Sequence, residues 1–315
     1  MKRILVDPSV PGALALGESP QPEPLPHQAV VRVRAFSLNR GEIMMAQHGQ
    51  KGGSIGWDYA GTIERAGSRW QGPAPGVRVV GWRPEMDAFA EQVLGEANYL
   101  APIPEAVSDM QAATLPVAGL TALAALDRGT RLVGNRVLIT GITGGVGHFA
   151  LQLAKLAGSR VIAQVRRAEQ ADFARGMGAD AVVVTEDGAG LEREGPYRLV
   201  IDGVGGPMFG RLVEHTAKGG TVVSYGGSGG YESLVPLYPS LFGRGGQRTI
   251  YGLTLYTEAE LEASSLGLAR LLRLVEDGRL RVPEIVSGGW SDTPRLAQEL
   301  LARKFSGKAV VQLSA

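Results

Sequence analysis

The chain has 315 residues, a net charge of +1 and no cysteine. The length points to about two domains of ~150 residues each. The composition excludes disulfides, thiol nucleophiles, iron–sulfur clusters and cysteine-based zinc sites, and the balanced charge carries no basic excess to argue for nucleic acid. Four histidines are present, none paired at metal-ligand spacing. Glycine is the outlier at 45 residues, about 14% against a usual ~7%. The glycines gather after apolar runs, where strands end and backbone can approach a ligand.

The N-terminus, Met1 to Asp7, starts basic but has no apolar core behind it. The most apolar stretch, 112–126, is about 15 residues and holds Pro116, too short to span a bilayer. A cytoplasmic protein without membrane contact is expected. Residues 1–110 read as β-rich. Ala29 to Phe36 alternates apolar and polar residues, and strands follow over Asp58 to Glu64 and Val77 to Gly81. Turns such as Gly72-Pro73-Ala74-Pro75-Gly76 separate them.

From about residue 113 the pattern changes. Apolar runs over 136–140, 161–165, 181–184, 198–202, 221–225 and 249–253 alternate with helical segments over 146–157, 169–177 and 207–216. Gly176 and Gly219 fall where helix C-caps are expected. This alternation is the mark of an α/β fold with a doubly wound parallel sheet. A long helix, 258–276, a second helix, 294–303, and a strand, 308–313, complete the chain. The last strand is expected to pack back on the first domain. The expected division is therefore a β-rich domain over 1–115 and 256–315, interrupted by a Rossmann cofactor domain over 116–255.

The strongest motif is Gly141-Ile142-Thr143-Gly144-Gly145-Val146-Gly147, between a strand and a helix. Backbone there must turn sharply and lie against a pyrophosphate met by helix N–H groups. Gly144, Gly145, Val146 and Gly147 are the expected contacts. The next strand ends in Val165-Arg166-Arg167, where NAD enzymes place an acid for the ribose 2′-hydroxyl. Arg166 and Arg167 suit a 2′-phosphate through charge-assisted bonding, which favours NADPH over NADH. Loops after two later strands, with Val204 and with Gly226 and Gly227, should flank the same cofactor. Asp202 either joins them or only caps the next helix. Thr249 to Tyr256 is an apolar edge without Lys or Pro, so it is expected to find a partner.

These features resemble the medium-chain dehydrogenase/reductase superfamily, in particular its zinc-independent quinone oxidoreductases. The resemblance covers nearly the whole chain. It is carried by Ser37-Leu38-Asn39-Arg40-Gly41-Glu42, Gly56-Trp57-Asp58-Tyr59-Ala60-Gly61, Ala88-Phe89-Ala90-Glu91, Leu115-Pro116-Val117-Ala118-Gly119-Leu120-Thr121-Ala122, the Gly144 to Gly147 loop and Gly307-Lys308-Ala309-Val310-Val311. It implies a GroES-like catalytic domain around the cofactor domain. Asn39 and Trp57 stand where zinc enzymes of the superfamily carry ligands, so no metal site and no zinc are implied. Asn39 is implied as the catalytic residue near nicotinamide and substrate, Thr121 as a cofactor neighbour, and Trp57, Trp82 and Phe242 as substrate-cleft residues. A two-fold homodimer joined through edge strand 249–256 is also implied.

The expected function is NADPH-dependent reduction of quinones or conjugated ketones and aldehydes by hydride transfer. A quinone needs no dedicated acid, because its reduced oxygens take protons from water. The Asn39 amide either donates to the acceptor carbonyl or satisfies loop backbone. Trp57 and Trp82 either stack on a flat ring or pack in the core. The alternatives are an enoyl-thioester reductase and a protein that binds NADPH without turnover.

Overall fold

The computed structural model describes residues 1–242 and 246–313. These divide into two compact units, one made of Met1–Leu120 and Ala259–Ala315, the other of Thr121–Glu258. In chain order the first part contains β1 (Lys2–Val6), β2 (Leu14–Glu18), β3 (Gln28–Leu38), α1 (Arg40–Ala46), β4 (Asp58–Ala66), β5 (Arg78–Trp82), β6 (Gln92–Glu96), β7 (Leu100–Pro102), α2 (Asp109–Ala113) and α3 (Pro116–Asp127). The middle carries β8 (Arg136–Ile139), α4 (Gly145–Leu156), β9 (Arg160–Val165), α5 (Glu169–Gly176), β10 (Ala181–Val184), β11 (Tyr197–Asp202), α6 (Phe209–Glu214), β12 (Thr216–Ser224), α7 (Leu237–Leu241) and β13 (Thr249–Gly252). Then come α8 (Leu255–Leu261), α9 (Ser264–Glu276), β14 (Ile285–Gly288), α10 (Thr293–Leu301) and β15 (Lys308–Gln312).

In the first unit β14, β15, β3, β4, β5 and β7 form one sheet in that order, with β6 also on β3. β15 runs antiparallel to β3, so the end of the chain completes a sheet begun near its start. β3 does not keep the two-sided alternation of its sequence. Arg32 is its one exposed residue, because β4, β6 and α2 cover what the pattern left free. Phe36 stacks on Phe89 at 4.3 Å between ring centroids, and Trp290 packs on Phe36 at 5.6 Å. Gly61 is required where β4 crosses β3, since a Cβ there would lie 2.1 Å from the Arg32 carbonyl oxygen.

The second unit is a six-stranded parallel sheet in the order β10-β9-β8-β11-β12-β13. Its direction of winding reverses between β8 and β11. Several expected boundaries shift. The helix expected over 207–216 is a single turn over Gly206–Met208 followed by α6, and Thr216 already belongs to β12. The Thr216 hydroxyl donates to the Leu212 carbonyl at 2.7 Å and closes that helix. Gly219 is a left-handed residue within β12 rather than a C-cap, and Gly178, not Gly176, takes the left-handed position after α5. The helix expected over 258–276 breaks between α8 and α9. Ala263 turns extended there, and the Ser264 hydroxyl is held by the Trp82 indole N–H at 2.9 Å.

Candidate active site

In the second unit the turn after β8 is closed by a 3.0 Å bond from Gly144 N–H to the Gly141 carbonyl, with Gly141 left-handed. Gly144 is the residue before α4 and caps it with no side chain. A Cβ on Gly147 would lie 2.5 Å from Gly141 O and 2.7 Å from Ile142 Cα, so this position admits only glycine. A Cβ on Gly144 would meet nothing nearer than 3.4 Å, so the outer side of the turn is open. α4 therefore presents first-turn N–H groups and the positive end of its dipole at an open backbone loop, the setting in which a pyrophosphate is held.

The loops beyond β11 and β12 are knitted together by backbone. Gly206 N–H donates to Gly230 O at 3.0 Å and Gly229 N–H to Val204 O at 2.7 Å. Gly205 and Gly206 are left-handed, and a Cβ on either would lie 2.7 Å from backbone oxygen of the neighbouring loop. Asp202 ends β11 fully buried and accepts from Val204 N–H and Gly205 N–H, each at 3.0 Å. Burial pushes its carboxyl upward. At the end of β9, Arg166 and Arg167 are exposed, and their backbone N–H groups both donate to the Gln170 carboxamide oxygen at 3.3 Å. Both guanidinium groups stand at the strand's C-terminal end, where an adenosine ribose is recognised in such sheets.

The first unit holds a buried polar cluster built by β3, β4, α1 and β15. Asp58 Oδ2 accepts from Ser37 Oγ and from Asn39 Nδ2, both at 2.8 Å, while Oδ1 accepts from Val117 N–H at 2.9 Å. The Lys308 ammonium, on the first residue of β15, donates to Asn39 Oδ1 at 2.6 Å and Leu38 O at 3.1 Å. It lies 3.4 Å from Asp58 Oδ2. Glu42 accepts from Asn39 N–H at 2.6 Å and Trp57 N–H at 2.9 Å. Burial and the charge of Asp58 push the Glu42 carboxyl up to about 8.

This arrangement corrects two expected roles. The Asn39 amide does not face outward as a free donor. Its hydrogens go to Asp58 at 2.8 Å and Glu42 at 3.4 Å, and its oxygen takes Lys308. Asn39 is a strut between two carboxyl groups and an ammonium. Trp82 does not line a cleft. It is 1% exposed, sits edge-on to Tyr99, and spends its indole N–H on Ser264. Trp57 remains half-buried, with its ring beside Gly41. Phe242 is exposed after α7 in the second unit. Thr121 is nearly buried in α3, and Val204 is half-buried. The edge expected over 249–256 is shorter, because the chain leaves the sheet after Gly252 and is helical from Leu255.

Sequence reasoning assigns no role of their own to Lys308, Glu42 and Thr140. The available signal for Lys308 was a lysine opening the otherwise apolar run Ala309-Val310-Val311, one residue after the left-handed Gly307. Among the described residues no group of three or more His, Cys, Asp or Glu side chains could hold a metal ion, and no helix is long and apolar enough to cross a membrane.

Comparison with known proteins agrees with this fold. A zinc-binding dehydrogenase family model matches residues 145–269, and an alcohol dehydrogenase GroES-like domain model matches residues 25–105. A trans-enoyl reductase from Aspergillus terreus is 31% identical over 66% of this chain and 80% of its own length. The quinone oxidoreductase of Coxiella burnetii superposes with a TM-score of 0.85 at 27% identity, covering 100% of this chain and 99% of that one. A mycobacterial protein complexed with NADPH superposes with a TM-score of 0.86 at 26% identity, covering 99% of this chain and 100% of that one.

Proposed function

Because the chain belongs to the medium-chain dehydrogenase/reductase superfamily, we propose that it is an NADPH-dependent, zinc-independent oxidoreductase that reduces quinones or conjugated ketones and aldehydes. The observation that carries this reading is the glycine turn at Gly144–Gly147, open on its outer side, with two exposed arginines at the end of the next strand. Bound NADPH would supply the hydride. The chain's part is to bind and orient. First-turn N–H groups of α4 meet the pyrophosphate, Arg166 and Arg167 meet the 2′-phosphate, and Val204, Gly226 and Gly227 border the same crevice. The similarity to a protein complexed with NADPH supports this assignment.

The donor set of the first unit does not fit zinc. Asn39 offers its oxygen to an internal ammonium, Trp57 offers no ligand atom, and the sequence has no thiolate. Asn39 is assigned instead to holding the start of α1 in register, with half-buried Trp57 as the aromatic surface for the acceptor. Nothing in the cluster has to protonate a quinone, whose reduced oxygens take protons from water. The exposed β13 edge is assigned to a two-fold dimer.

A second reading, an enoyl-thioester reductase, is favoured by the similarity to a trans-enoyl reductase. NADPH oxidation measured with 1,4-benzoquinone, a crotonyl thioester and an alkenal separates the two. Turnover with the quinone or the alkenal supports the proposal. Turnover with the thioester alone replaces it with the second reading. Tight NADPH binding without oxidation across the panel overturns both.

A further inference from the structure

The strand order of the second unit reverses between β8 and β11. Ligands of open parallel sheets lie beyond the strand C-termini at such a point. Thr140 follows β8 there and Asp202 ends β11, and the Thr140 hydroxyl donates to Asp202 Oδ1 at 2.5 Å. Thr140 Oγ1 in turn accepts from Gly203 N–H at 3.1 Å. With Val204 N–H and Gly205 N–H, Asp202 has three donors and acts only as acceptor; burial pushes its carboxyl upward, and these three donors pull it back toward the ionised form. It is fully buried, and among the described residues no cation pairs with it. Its field in the crevice is therefore weakly screened.

Arg166 and Arg167 after β9 assign the adenosine half of the cofactor to β8–β10, which leaves the nicotinamide half over β11 and β12. The oxidised and reduced rings differ by one positive charge, whereas the phosphates are the same in both forms. Repulsion between a carboxylate and the phosphates thus cancels when the two forms are compared. We propose that Asp202 is a fixed anion that favours the oxidised, positively charged nicotinamide over the reduced one, making bound NADPH a stronger hydride donor than free NADPH. The inference rests on the reading that this unit binds NADPH. An uncharged carboxyl that only capped the 203–206 loop would act on both forms alike.

The test is the ratio of NADP⁺ to NADPH affinity, measured by calorimetric titration of the full chain. Asp202→Asn is expected to weaken NADP⁺ relative to NADPH by about ten- to hundredfold, the scale of a unit charge acting across roughly 6–12 Å at an effective dielectric of 20. Thr140→Val keeps the charge and removes a loop hydrogen bond, so it is expected to weaken both forms equally. Should Asp202→Asn not fold, Val204→Lys brings a cation to the carboxylate from the half-buried loop position two residues on. It is expected to move the ratio in the same sense. An unchanged ratio in the folded variant, with both nucleotides still bound, overturns this inference alone. Binding of neither nucleotide to the unmodified protein overturns the proposed function, and this inference with it.

Discussion

Lys308→Met keeps the length and apolar stem of the side chain and removes only the ammonium. In the structure Lys308 is 3% exposed and its ammonium lies 3.4 Å from Asp58 Oδ2, with Asp58 itself fully buried. At an effective dielectric of 20, a pair at this spacing attracts by about 5 kcal/mol. The lost hydrogen bonds to Asn39 Oδ1 and Leu38 O add roughly 1 kcal/mol each, and the desolvation that burial of the ammonium no longer costs works against them. Removing one partner of a buried pair typically costs about 3–5 kcal/mol, and that is the expected loss in equilibrium urea unfolding. The double variant Lys308→Met/Asp58→Asn removes the stranded anion and is expected to recover a large part of that loss. A loss below about 1 kcal/mol for the single variant, or no recovery in the double variant, would refute the reading of this cluster as a charge-balanced strut.

Glu42 gives a pH signature. Its folded carboxyl is pushed up to about 8 from an ordinary 4.5, so the folded chain keeps a proton that the unfolded chain releases. Its contribution is complete at acid pH and is lost as pH rises from about 4.5 through about 8. Urea midpoints measured across that window should fall less steeply for Glu42→Gln than for the unmodified protein. Gly147→Ala places a Cβ 2.5 Å from a backbone oxygen that cannot retreat, so NADPH affinity is expected to drop at least about tenfold, on the scale of local overpacking. Calorimetric titration reads it, and undiminished affinity would contradict the turn geometry. Trp82→Phe loses the bond to Ser264 and is expected to cost about 1 kcal/mol of stability, with KM for the acceptor unchanged. A raised KM would return Trp82 to the substrate cleft.

The second unit was the more legible part of the sequence because its signals are local. Each strand is a short apolar run, and the glycine turn follows from what backbone alone must do between Ile139 and Gly145. The errors arose where a distant residue decides. The break before Ser264 depends on Trp82, 182 positions away in the chain, and helical periodicity runs smoothly across it. β3 reads as half-exposed from its own alternation, but α2 packs on it and strands from three other parts of the chain surround it. Asn39 is visible in its motif, whereas the direction of its amide is not. That direction is set by Lys308, 269 positions on. Trp57 and Trp82 look alike in sequence, and only the fold separates the half-buried indole from the core one.

Arg166 and Arg167 are assigned to select a 2′-phosphate at the end of β9. The decisive experiment is titration of the unmodified protein with NADPH and with NADH, repeated with Arg166→Ala/Arg167→Ala. NADPH should bind more tightly than NADH, and the double substitution should remove most of that preference while leaving NADH affinity nearly unchanged. Equal affinities in the unmodified protein, or a preference that survives loss of both guanidinium groups, would contradict the account.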